Sequence, residues 1–248
     1  MTGVDVLAPQ PTFGPDHAGV YEVTYRTRGK DWPAEARDVA RRVRALRPDA
    51  RSLLDVACGT GAHLETFRAC FDRVEGVEPA PAMRERAEGR LPGVTIHDED
   101  MRSFDLGRRF DAVTCLCTAI AYVETVGEMR DAVRCMADHL TPGGVLVVEP
   151  WWLPEKLLDG YVGSDLVRDG DRVVARVSHT RRHGRAAHME VSWLVGEPSG
   201  LRSFATTEVF AMFTRDEYVA AFEDAGCTVE YEEGWLTGRG IFTGVRRA

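Results

Sequence analysis

The chain is 248 residues long, 44% hydrophobic and 28% charged, and its 39 acidic against 31 basic residues leave a net charge of −8. That length suits one α/β domain carrying an insertion, and with neither a run of about 18 apolar residues nor a charged-then-apolar leader it is expected to hold no membrane span and no secretory signal. The acidic balance excludes nonspecific nucleic-acid binding, which rests on basic surface, and leaves any anionic ligand to a few well-placed arginines rather than to the overall field.

In chain order, the segment Val6 to Phe13 has no period and carries Pro9 and Pro11, the pattern of a loose tail. Tyr21 and Tyr25 follow, four apart as on one helix face, before the loop Arg28-Gly29-Lys30-Asp31. Residues 33–47 read as a helix, with Pro33 in the first turn and Ala36, Val39, Ala40 and Val43 marking one face. Then come strand 51–56, helix 61–70, strand 73–78, helix 81–91, a short strand near 94–97, strand 110–117, helix 125–139 and strand 144–149. Strands separated by helices of this length imply right-handed crossovers and a mostly parallel sheet. Its ligand edge lies at the carboxyl ends of the strands, where Gly59, Glu78, Asp100 and Glu149 all fall.

Past residue 150 the rhythm changes. Residues 172–179, 187–195 and 206–213 alternate like antiparallel strands, with Met189, Val191, Trp193 and Val195 on one face and Arg182–Arg185 as a turn. A helix over 214–225, capped by Thr214 and stopped by Gly226, and strands 227–233 and 239–246 then return to the first domain. The expected organisation is a Rossmann-like nucleotide-type domain, 1–150 with 214–248, and an antiparallel β insertion, 151–213, acting as a lid for a second substrate.

The six cysteines form no C-x-x-C pair and no zinc spacing, and read as small buried thiols of a reducing compartment. His179, His183 and His188 are interleaved with Arg181, Arg182 and Arg185. A cation cluster is a poor neighbour for a metal, so none is expected.

The most informative stretch is Leu53-Leu54-Asp55-Val56-Ala57-Cys58-Gly59-Thr60-Gly61, a buried-strand run breaking into a glycine turn. It lacks the third glycine that a dinucleotide fingerprint needs at the pyrophosphate. Glycines without a Cβ admit close approach of a ligand to the backbone, and Glu78, seventeen residues after Gly61, closes the next strand. There its carboxylate is placed to accept both hydroxyls of a ribose. The Asp55-x-Ala57-x-Gly59-x-Gly61 spacing resembles that of class I S-adenosylmethionine (SAM) methyltransferases. The resemblance implies SAM as cofactor, with Glu78 and the adjacent Pro79 at the ribose. It also implies Asp100 and Met101 at the adenine, and Cys115 and Leu116 near the other adenine face or the sulfonium. As a helix cap, Asp100 would serve Arg102 and Ser103 instead.

A second resemblance spans residues 20–247. The stretches Arg28-Gly29-Lys30-Asp31, Val148-Glu149-Pro150-Trp151-Trp152, Asp159-Gly160-Tyr161-Val162, Val167-Arg168-Asp169-Gly170-Asp171, Arg176-Val177-Ser178-His179 and Gly238-Arg239-Gly240 are similar, in this order, to those of N-methyltransferases and N,N-dimethyltransferases of dTDP-linked amino-deoxysugars, the desosamine and mycaminose type of antibiotic pathways. The Glu-Pro-Trp-Trp block is the most specific of them. The family implies a dTDP-amino-sugar acceptor methylated once or twice, a cytoplasmic enzyme and a homodimer. It adds Tyr21 and Lys30 to the cofactor set and makes Tyr25, Arg28, Trp151, Trp152, Arg168, Ser178 and Arg239 acceptor residues. Two phosphates and a flat base call for arginine forks and aromatic faces. Where family members often carry His after the fourth strand, this chain reads Thr118-Ala119-Ile120-Ala121-Tyr122, which removes any histidine role there. Tyr21, Tyr122 and Glu149 remain as groups to orient the amine or take its proton. Two other readings stand beside this one: a SAM-dependent O-methyltransferase of a sugar or polyketide, and a SAM-fold binding protein without turnover.

Overall fold

A computed structural model describes residues 9–247. The elements are β1 (Pro9–Gln10), α1 (Pro15–Thr27), α2 (Trp32–Leu46), β2 (Ser52–Val56), α3 (Ala62–Cys70), β3 (Arg73–Val77), α4 (Pro81–Arg90), β4 (Ile96–His97), β5 (Phe110–Cys115), a short 3-10 turn (Ala119–Tyr122), α5 (Val126–Asp138), β6 (Leu140–Val148), β7 (Tyr161–Asp169), β8 (Arg172–His183), β9 (Ala186–Glu197), β10 (Gly200–Ala211), α6 (Arg215–Asp224), β11 (Glu230–Glu232) and β12 (Ile241–Val245). They fall into two compact units. The larger comprises Asp31–Lys156 and the chain from Phe210 onward; the smaller joins the residues up to Lys30 with Leu157–Val209.

The larger unit is built on a seven-stranded sheet in the order β11-β12-β6-β5-β2-β3-β4. β2 pairs in parallel with β3 and β5, and β12 runs antiparallel to both β6 and β11. This is the class I methyltransferase fold. Every residue of β2 is buried, as a central parallel strand covered on both faces must be. Polar residues fix where the helices start. The Asp31 carboxylate accepts the Ala34 N–H at 2.9 Å at the head of α2, and Thr125 with Glu128 and Thr214 with Glu217 form capping boxes on α5 and α6. The apolar core flanks the sheet, with Phe110, Met129, Val133, Tyr218 and Phe242 in one cluster and Val39, Leu53, Phe67 and Ala87 in another.

In the smaller unit, β7 to β10 form an antiparallel meander, and β1 adds a parallel edge, Pro9 opposite Ala205 and Gln10 opposite Thr206. The inner face carries Val167, Val174, Met189, Val191, Trp193, Val195 and Phe204. α1 presents buried His17, Ala18, Val20, Val23 and Thr24. Of the expected tail, Val6 to Ala8 lie outside the described residues, whereas Pro9–Gln10 is a strand. α1, of which the sequence showed only the Tyr21–Tyr25 spacing, and β7 are additions to the predicted elements, β10 begins at Gly200 rather than 206, and the predicted strand 227–233 contracts to β11, with Cys227 bridged to Arg246. Among the described residues no helix is long and apolar enough to cross a membrane.

Candidate active site

β2 delivers Asp55 to a fully buried position, 1% exposed. Its Oδ1 accepts the Thr114 hydroxyl of β5 at 2.7 Å, and its Oδ2 is buried with no hydrogen-bond partner. Burial pushes the Asp55 carboxyl up to about 6, against the opposing influence of His63 and of the Thr114 hydrogen bond. His63, in the first turn of α3, lies 3.0 Å from Glu35 of α2, and both are buried. Beyond β2 the backbone turns left-handed at Ala57 (φ 55°), Gly59 (58°) and Gly61 (75°). A Cβ on Gly59 would meet only Met83, at 3.6 Å, whereas one on Gly61 would sit 2.8 Å from Leu91 and 3.2 Å from Ala87. The absent Cβ of Gly61 therefore serves the packing of α3 on α4.

Glu78 leaves β3 with its carboxylate buried and turned back on the glycine turn. It accepts N–H bonds from Gly59 and Ala80, each at 2.8 Å. Burial raises its pKa, opposed by those two N–H groups and by Arg84. Each carboxylate oxygen retains a lone pair beyond its backbone bond, so the geometry fits a ligand that offers two hydroxyls. Pro79 is exposed beside it, its carbonyl 3.3 Å from Arg84 Nη1. Asp100 is held by Arg102 through the backbone N–H and a fork of side-chain nitrogens at 2.7–2.8 Å, which keeps its carboxyl below the ordinary range. It thus closes a turn, with no helix beginning there, and is partly exposed. Met101 packs against the core, and Cys115 and Leu116 are buried in the two apolar clusters. Burial drives the Cys115 thiol upward, so it is an inert packing group.

The exits of β5 and β6 hold a second constellation. Cys117 (φ 53°) and Thr118 (φ 63°) are consecutive left-handed residues without being glycine. Glu149, wholly buried, accepts the Cys117 N–H at 2.7 Å through Oε2 and places Oε1 3.7 Å from Nη1 of Arg239. The Arg239 guanidinium lies 4.9 Å over the Trp151 ring and 5.2 Å over that of Trp152. Trp151 stacks on Phe210 at 4.2 Å, and Phe210 meets Tyr122 at 5.0 Å. A ladder Tyr122–Phe210–Trp151–Arg239–Trp152 results, and it unites four of the sequence-derived candidates. Phe210 was missed, its only signal being an apolar residue at the end of an alternating strand.

The smaller unit holds the other candidates. Tyr21 and Tyr25 pack at 4.7 Å on α1, the Lys30 N–H donates to the Tyr25 carbonyl, and Arg28 pairs with Asp165 at 3.2 Å. Ser178 is buried on the inner face of β8, whereas Arg168 is exposed and lies on the face of β7 opposite Asp165 and Val167. Arg176, named in sequence only within a family stretch and given no role, is 3% exposed, pairs with Asp165 at 3.3 Å and lies 5.6 Å over Trp193. Burial and then the Arg28 charge lower its pKa. Its signal was an arginine in the inward phase of an alternating strand, between Val174 and Ser178. The His183 and His188 rings lie 4.5 Å apart, and no group of three or more metal-ligating side chains occurs among the described residues.

A carboxylate-closed glycine turn at the carboxyl edge of this sheet defines a class I methyltransferase, and residues 28–232 match the family described as "Methyltransferase domain". Within it, the chain belongs to the SAM-dependent N,N-dimethyltransferases of dTDP-linked amino sugars. It is 51% identical over 234 residues, 94% of each chain, to the dTDP-4-amino-2,3,4,6-tetradeoxy-D-glucose N,N-dimethyltransferase of Saccharopolyspora spinosa. It is 50% identical over 231 residues, 93% of this chain and 98% of the other, to the dTDP-3-amino-3,4,6-trideoxy-alpha-D-glucopyranose N,N-dimethyltransferase of Streptomyces venezuelae. Among solved structures it is similar to SAM-bound CalS10, an amino pentose methyltransferase from Micromonospora echinaspora, with a TM-score of 0.86, 58% identity and coverage of 98% of this chain and 100% of that one. DesVI of Streptomyces venezuelae gives a TM-score of 0.90 at 50% identity, covering 93% and 98%.

Proposed function

We propose that this protein transfers two methyl groups from SAM to the amine of a dTDP-linked amino-deoxysugar in antibiotic biosynthesis, working in the cytoplasm as a homodimer. The observation that carries the reading is the near full-length identity to two enzymes that share the dTDP-amino-sugar acceptor and differ in the amine position. The carboxylate-closed turn at Glu78 supports it from the cofactor side.

SAM supplies an electrophilic methyl group on a sulfonium. In this reading Glu78 takes the ribose hydroxyls, with Pro79 beside it, and the buried, unpartnered Oδ2 of Asp55 suits the cationic amino-acid end. The turn Ala57–Gly61 admits the cofactor backbone-close. Met101, Cys115 and Leu116 line the adenine side, Asp100 adds a further acceptor there, and Tyr21 and Lys30 complete the set. Residues 151–213 act as the acceptor lid. Tyr25, Arg28, Trp151, Trp152, Arg168, Ser178 and Arg239 bind the sugar nucleotide through aromatic faces and arginine forks. In-line transfer to an amine develops no oxyanion, so the chain's task is to hold a neutral lone pair at the methyl and exclude water. Positioning supplies most of the effect, with Tyr21 and Tyr122 orienting the amine.

The test is mass spectrometry after incubation with SAM and a panel of dTDP-3-amino and dTDP-4-amino sugars. One of them should gain two methyls in succession. Methylation of a sugar hydroxyl, with every amine untouched, would replace this reading by the O-methyltransferase one.

A further inference from the structure

Two neighbouring left-handed residues that are not glycine cost roughly 1–2 kcal/mol each and persist only where the surroundings over-determine them. Cys117 and Thr118 are such a pair, at the exit of β5 and on the ligand edge of the sheet. Glu149 holds the first of them. Its own N–H donates to the Cys115 carbonyl at 2.9 Å, extending the β5–β6 pairing by one residue, and its Oε2 accepts the Cys117 N–H at 2.7 Å. The Thr118 N-terminal turn then carries Ala119–Tyr122, and Tyr122 starts the aromatic ladder. The other carboxylate oxygen lies 3.7 Å from Arg239, whose side chain is 22% exposed, its guanidinium between two tryptophans, while Glu149 is fully buried. Oε1 of the buried Glu149 therefore faces the cation that the two tryptophan rings flank.

We infer that Glu149 is a positioning residue for methyl transfer: it sets the Cys117–Thr118 turn on the cofactor side and holds Arg239 in its tryptophan sandwich on the acceptor side. The acceptor half rests on the sugar-nucleotide reading above; the cofactor half does not. The two halves separate chemically. Gln keeps an oxygen for the Cys117 N–H but removes the charge beside Arg239, whereas Ala removes both.

The experiment compares wild type, Glu149→Gln and Glu149→Ala by calorimetric SAM binding and by kcat, KM and pH profile on the dTDP-amino sugar that wild type accepts. For Glu149→Gln the SAM Kd should stay within about twofold and kcat within about threefold, while the acceptor KM rises about tenfold. The pH profile should keep its shape. Glu149→Ala should in addition weaken SAM by about tenfold or more, the effect of one lost charge-assisted hydrogen bond. If Glu149→Ala does not fold, the KM-without-kcat split of Glu149→Gln decides. A loss of about a thousandfold in kcat with unchanged KM for Glu149→Gln would make Glu149 a proton acceptor and overturn the inference. Wild-type behaviour of both variants would overturn it equally. If wild type methylates no dTDP-amino sugar, the functional reading has failed, and SAM affinity alone still decides whether Glu149 holds the turn.

Discussion

At the residue scale the least comfortable group is Asp55. Its folded pKa, pushed by burial to about 6, lies above the ordinary 3.8, so the folded chain binds this proton more tightly than the unfolded chain. Stability from this group is therefore fully present below the unfolded value, declines as pH rises between the two, and is lost above the folded one. A shift of that size corresponds to a penalty of about 3 kcal/mol at neutral pH. Asp55→Asn, which cannot ionise, should raise the melting temperature of the SAM-free protein at pH 8 and change it little at pH 4. The same variant should bind SAM more weakly, because the unpartnered Oδ2 faces a cationic part of the cofactor in the proposed role. Thermal unfolding of both proteins across pH 4–8 provides the check, and a pH-independent difference between them would dismiss Asp55 as the source. A carboxylate kept buried at a cost to the empty protein is the pattern of a residue retained for its ligand.

At the element scale, the contact of α3 with α4 is made close by Gly61. Gly61→Ala should cost about 2–4 kcal/mol, a left-handed alanine plus overpacking against Leu91 and Ala87. Gly59→Ala meets only Met83, and should cost about 1–2 kcal/mol for its backbone conformation alone. Urea denaturation beside SAM titration separates the two: Gly61→Ala should fail chiefly in stability, Gly59→Ala chiefly in SAM affinity, and the reverse ranking would exchange their roles. The elements readable from sequence are those that form a nearly continuous buried run, such as β2 and β5, or whose ends carry caps, such as α5 and α6. α1 was hidden because its buried face includes His17 and Thr24. Their polar needs are met locally, by the Phe13 N–H and the Val20 carbonyl, so no apolar stripe shows. β7 was hidden because its alternation is inverted: Val162 and Leu166 are exposed while Gly163 and Asp165 face inward. Only pairing with β8 fixes that register. That Glu78 meets the glycine turn was legible because strand, turn and strand end lie within one βαβ unit. The Arg239 sandwich was not, since it needs β6, the segment after it and the turn before β12 to converge.

At the scale of the whole molecule, the two units each close their own interior. Both large apolar clusters are composed of residues of the larger unit, while the smaller has its own sheet and its own buried set around Arg176 and Trp193. The proposed cofactor residues from Asp55 to Leu116 all lie in the larger unit, and Tyr21 and Lys30 in the smaller. A ligand that binds only the native form stabilises what it binds by RT ln(1 + [L]/Kd), about 2.7 kcal/mol at a hundredfold excess over Kd. Hydrogen exchange at that SAM concentration should therefore slow the most protected amides of β2, β3 and α3 by about a hundredfold. The β8–β9 hairpin should be unaffected, because its opening need not disturb the bound cofactor. Added protection confined to α1 within the smaller unit would place Tyr21 and Lys30 with SAM. Equal slowing of β8–β9 and β2 would show instead that the chain opens as one cooperative body, and that the division into units has no energetic counterpart.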